Sequence, residues 1–158
     1  MIKINYWKLI ISLVVCQLAG VIGSFFTVSS VSTWYLTLTK PSFNPPSWVF
    51  GPVWITLFFL MGISLYLVWN SYDKKKDTKI ALSFFSAQLV LNSLWSIFFF
   101  GLRNPLLAFI EIIILWISIL LTTIYFYKKS KTAAYLLIPY LCWVTFAALL
   151  NFIIFYLN

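Results

Sequence analysis

Charge is confined to a few short places in this sequence, and the gaps between them are long. No acidic or basic residue falls between Lys8 and Lys40, from Pro41 to Tyr72, from Ile80 to Leu102, or from Thr132 to Asn158. Each gap exceeds the roughly 20 residues that a helix needs to cross a hydrocarbon core. A further apolar stretch between Arg103 and Lys128 is broken only by Glu111. With 63% hydrophobic and 9% charged residues among 158, the chain has more apolar surface than a soluble core of that length can hide. In lipid the backbone must satisfy its own polar groups, which segments of this length do as helices. The reading is all-α: an integral membrane bundle of five transmembrane helices, near 7–27, 50–71, 79–101, 105–127 and 133–156, forming one domain over 1–158.

The formal charge of +8 does not point to nucleic acid, because the cations sit in turns rather than along a face. Five spans put the N-terminus and the 72–79 and 128–132 turns on one side, with Lys3, Lys8, Lys74, Lys75, Lys76, Lys79, Lys128, Lys129 and Lys131. The other side holds only Lys40 and Arg103. The positive-inside rule then predicts a cytoplasmic N-terminus and an outside C-terminus in a plasma-type membrane. The first apolar run is too long for a cleaved signal and has no small-residue cleavage pattern after it, so it is expected to remain as a span. Cys16 and Cys142 lie in different spans without CxxC spacing, which suggests neither a disulfide framework nor a metal site.

The stretch from Trp34 to Trp54 carries three tryptophans and four prolines around Lys40. Pro41, Pro45, Pro46 and Pro52 lack backbone donors and bias the residues before them away from helix. An ordered, non-helical connection over 35–51 is therefore expected, within a lid loop spanning 28–49. Clustered aromatic faces at the mouth of a bundle suit a lid or stacking platform for a flat apolar ligand. An interfacial belt accounts for Trp34 or Trp48 alone, but needs no proline framework. The Gly51-Pro52 pair predicts the start of the second span, with Trp54, Phe58 and Met61 on one face.

Polar and small residues within the spans mark inward faces. Gln88 and Asn92 are four apart in the third span, and Trp95, Ser96 and Phe99 continue their face. Amides at membrane depth need partners, so this face looks into the bundle, toward neighbouring helices or a ligand. In the fifth span Trp143, Ala147, Leu150 and Asn151 repeat the arrangement, and the small Ala147 leaves volume for a pocket. Ala19, Gly20, Gly23 and Ser24 allow close helix approach, either within the bundle or between protomers. Glu111 is a functional-site candidate by default, with Arg103 as a partner, or else a structural carboxyl.

With no histidine in the chain, Ser-His-Asp and Cys-His catalysis is excluded. No carboxylate pair lies within a span, Asp73 and Asp77 sit in a lysine-rich turn, and no glycine-rich phosphate cradle is present.

The pattern WYxxLxKPxxxPPxWxFGPVW at 34–54, with AQLxLNxxWxxxFFGxR at 87–103 and WxxFAxxLN at 143–151, resembles the translocator protein family, also called tryptophan-rich sensory protein or peripheral benzodiazepine receptor. The resemblance covers nearly the whole chain. It implies a five-helix bundle, usually dimeric, in a bacterial member's cytoplasmic membrane. It also implies a pocket closed by the first loop that binds porphyrins and isoquinoline carboxamide or benzodiazepine-type drugs. Carried over residue by residue, the ligand-binding set is Tyr35, Pro45, Phe50, Trp54, Phe58, Asn92, Trp95, Trp143, Ala147 and Leu150. Two alternatives accompany the receptor reading. One is light-dependent protoporphyrin breakdown, with Trp54 and Trp143 as the participating residues; the other is a tetrapyrrole or sterol carrier. No cofactor or metal is expected, and a bound tetrapyrrole would be a free-base ring, its propionates reaching Lys40 or Arg103. The sequence departs from the family where a fourth-span tryptophan of some members is Leu107. It also has no basic residue after Lys131 to complete the animal sterol pattern near Phe152 and Tyr156.

Overall fold

The computed structural model describes residues 4–71 and 76–158. Six α-helices follow one another: α1 Tyr6–Val31, α2 Trp34–Thr37, α3 Ser47–Asn70, α4 Lys76–Ser96, α5 Pro105–Tyr127 and α6 Lys131–Leu157. A π-helical turn, Ile97–Gly101, joins the end of α4 to the connection before α5. The described residues contain no strand, and five helices are long and apolar enough to cross a membrane. Lys3, Asp73, Lys74, Lys75 and the side chain of Lys76 lie outside the described residues.

Short polar residues fix several helix starts by satisfying otherwise unpaired first-turn donors. Asn5 accepts from the Lys8 amide at 3.1 Å, Asn104 from Leu107 at 3.0 Å and Ser130 from Ala133 at 3.2 Å. Pro105 opens α5 as expected, where its missing N–H costs nothing. The Ser130 cap moves the start of α6 from the predicted 133 to Lys131.

The lid loop is shorter than the prolines suggested. α1 continues to Val31, Trp34–Thr37 forms one helical turn, and α3 begins at Ser47, so the irregular backbone is 38–46 rather than 35–51. Pro46, not Pro52, sets the boundary: extended at ψ 142°, it offers its carbonyl to the Val49 amide at 3.0 Å. Pro52 lies inside α3, where it removes one hydrogen bond, a loss that a membrane helix packed among neighbours tolerates.

The spans form a closed ring in which α1 neighbours α3 and α4, α6 neighbours α3 and α5, and α5 returns to α4. Glycines set two of the close approaches on α1. A Cβ on Gly62 would stand 2.9 Å from Leu13 Cα, and one on Gly20 would stand 2.6 Å from the Phe58 ring. The second contact puts Gly20 of α1 to use inside the bundle. At the end where α1 begins and α3 finishes, Lys8 Nζ donates to the Trp69 carbonyl at 3.2 Å. Farther in, Phe85 and Phe126 stack at 5.6 Å among fully buried Met61, Ile119 and Val144. The interior is filled at this end and opens toward the lid.

Candidate functional site

The opening is a cavity of about 580 Å³ enclosed by α1, α3, α4 with its π turn, and α6. That volume falls within the range of small-molecule sites. Asn92, Trp95, Ser96 and Phe99 all reach it, as their helical spacing requires. The π turn begins here: the Leu102 amide reaches back to the Ile97 carbonyl at 2.7 Å, and the widened coil presents both Phe99 and Phe100 inward. Trp95 stacks on Phe99 with centroids 5.2 Å apart and donates Nε1 to Asn151 Oδ1 at 3.0 Å. Asn151 in turn donates to the Pro105 carbonyl at 2.7 Å, tying α4, α5 and α6 together at the wall. From α3, Trp54 stacks on Phe58 at 5.6 Å.

The lid is built around Tyr35. Its ring packs on Phe100 at 5.8 Å and its hydroxyl donates to Asn44 Oδ1 at 3.0 Å. Burial raises the Tyr35 phenol above its ordinary pKa, and the Asn44 bond opposes the shift. Lys40 braces the same turn: Nζ donates to the Leu38 carbonyl at 2.9 Å and to the Tyr35 carbonyl at 2.6 Å, and lies 4.6 Å from the Tyr35 ring centre. Asn158, at the end of α6, bonds both polar backbone groups of Thr39 at 2.9 Å.

Of the sequence-predicted set, Tyr35, Phe50, Trp54, Phe58, Asn92, Trp95, Ala147 and Leu150 line the cavity together. Pro45 and Trp143 do not. Pro45 sits in the lid, its carbonyl held by Asn44, and Trp143 stands behind the wall with its ring edge-on to Phe50 at 5.8 Å. Lys40 and Arg103 are not on the wall either, and no charged residue is among the described lining residues. Sequence reasoning missed the α1 side, where Gly23, Ser24, Thr27 and Val31 contribute. The small-residue run was the available signal, and its helix-packing role concealed the cavity it also borders.

Behind Asn92 lies a buried polar cluster. Asn92 Nδ2 donates to the Tyr140 hydroxyl and Tyr140 donates to Gln88 Oε1, both at 2.9 Å. Gln88 Nε2 and both Glu111 carboxyl oxygens are buried without a hydrogen-bond partner, so Arg103 does not pair with Glu111.

The sequence profile of the TspO/MBR family matches residues 12–157. The chain is 49% identical over 154 residues to the tryptophan-rich protein TspO of Archaeoglobus fulgidus, covering 98% of this chain and 99% of that protein. It is 39% identical over 132 residues to the translocator protein of Homo sapiens, covering 83% and 78%. To the tryptophan-rich sensory protein of Cereibacter sphaeroides it is 37% identical over 119 residues, covering 75% and 73%.

Proposed function

This chain belongs to the TspO/MBR family, and on that premise we propose that it is a membrane receptor or sensor for flat, apolar ligands held in the lid-covered cavity. Porphyrins such as protoporphyrin IX, and isoquinoline carboxamide or benzodiazepine-type molecules, are the ligand classes. The observation that carries this reading is an uncharged, drug-sized space walled by stacked Trp and Phe rings and covered by an ordered tyrosine turn. Each aromatic contact contributes about 1 kcal/mol beyond burial, so a few of them with a large ring removed from water reach micromolar affinity without an ionic anchor. Lys40 is engaged in bracing the lid, so propionates are left at the cavity rim. The receptor works in a bacterial cytoplasmic membrane with its N-terminus inside, and pairs as a homodimer.

The test is a titration of purified protein with protoporphyrin IX in the dark, read by tryptophan quenching. Saturable quenching that weakens at least about tenfold in Trp95→Ala supports the reading, a loss of roughly 1.4 kcal/mol. Quenching that never saturates, or that ignores Trp95, contradicts it. A photochemical second reading draws on Trp54, which stacks at the wall. If it holds, Trp54→Phe slows light-driven loss of the porphyrin band far more than it weakens binding. Trp143→Phe, one ring removed from the cavity, then has the smaller effect.

A further inference from the structure

α1 and α3 touch at one end and part toward the lid. A Cβ on Gly62 would meet the Leu13 backbone at 2.9 Å, whereas one on Gly51, nearer the lid, meets nothing within 4 Å. Where the gap begins, Gln17 Nε2 crosses from α1 to the Ile55 carbonyl of α3 at 3.1 Å. From this bond toward the lid, Val21, Ser24 and Val28 on α1, Ser32 just after it, and Ser47, Gly51 and Ile55 on α3 line the cavity and are exposed as well. Val28 is 71% exposed and Ile55 62%. Residues that both border a cavity and stay open mark its mouth.

Both helices are spans, so the position of this mouth along them decides which solvent it meets. From Gln17 to Val28 the helix advances about 16 Å at 1.5 Å per residue, roughly half of a hydrocarbon core about 30 Å thick. The part of the mouth between Gln17 and Val28 therefore faces acyl chains. The upper edge of the mouth is at Ser32 and Ser47, where the chain enters and leaves the lid, which is fastened by Lys40 and by the Asn158 to Thr39 pair.

We propose that ligand enters and leaves the cavity sideways from the membrane interior, through a portal between α1 and α3 whose sill is the Gln17 to Ile55 hydrogen bond. This inference rests on the reading of the cavity as a ligand site. An amide facing lipid is costly unless bonded, so Gln17 is held across the gap and limits how deep the portal extends. The portal selects uncharged or weakly charged molecules that partition into bilayers, because no ionic group is among the described residues that border it.

The experiment measures protoporphyrin IX association and dissociation by stopped-flow tryptophan quenching, with the protein in lipid nanodiscs. Gly51→Phe fills the mouth from a position with free space around its Cβ, and Val28→Trp fills it from the opposite helix. Both are expected to slow association and dissociation by about tenfold, the span over which on-rates of related complexes vary. Asn158→Ala, which loosens the lid, is expected to change the association rate by less than either. Unchanged rates in both mouth variants with faster association in Asn158→Ala overturn the portal and place entry at the lid. Absence of saturable quenching in the parent protein overturns the underlying ligand-site reading instead.

Discussion

At the residue scale, the polar groups within the bundle divide into those with partners and those without. Tyr140 is fully buried and bonds both Asn92 and Gln88, so Tyr140→Phe strands two amides. A loss of about 1–2 kcal/mol is expected, read as a lower thermal midpoint in detergent. Glu111 is the opposite case: a buried carboxyl without a hydrogen-bond partner is a net cost to folding. Glu111→Leu is therefore expected to raise the midpoint, and a lowered one would assign Glu111 a structural partner. Tyr35 adds a pH dependence. Its phenol is raised, so the neutral form is the one the closed lid favours. That contribution is complete below the ordinary phenol value near 10 and is lost as pH climbs through the raised value. Ligand affinity should fall above pH about 10 in the parent protein, and this alkaline loss should shrink in Tyr35→Phe.

At the element scale, α1 serves as both packing partner and cavity wall. Gly62 is where a side chain would strike backbone, so Gly62→Ala forces α1 and α3 apart. A loss of about 1–3 kcal/mol is expected for such overpacking, again as a lowered midpoint. Gly51→Ala, in open space, should leave stability the same or higher, since alanine favours helix over glycine by up to about 1 kcal/mol. Span number and approximate limits were legible because charge-free runs are local signals, whereas the Ser130 cap that starts α6 at Lys131 was not used. The start of α3 was not, because Pro46 and Pro52 are equally good stop signals in sequence and only the fold shows which one opens the helix. The π turn at Ile97–Gly101 was likewise invisible, since an extra residue per turn leaves no composition mark.

At the scale of the whole molecule, the ring of spans is filled at one end and hollow at the other. The inward faces of α4 and α6 could be read from Asn92, Trp95 and Ala147 at helical spacing. The α1 wall and the exclusion of Trp143 could not, because the first depends on how α1 sits against α3 and α4 and the second on Phe50 standing edge-on to Trp143, both properties of the assembled ring. Lys40 illustrates the same limit: sequence offers it as an anion anchor, and the folded lid engages it in two backbone hydrogen bonds and over the Tyr35 ring. The central claim is that ligand sits inside the ring, beneath Tyr35. The most direct test is photolabelling in nanodiscs with a diazirine-bearing isoquinoline carboxamide, followed by peptide mapping and protoporphyrin IX competition. Competable label on the cavity faces of α1, α3, α4 and α6 is the predicted result. Label confined to the lipid face of α5, around Ile113 and Ile117, and indifferent to protoporphyrin IX would contradict the account.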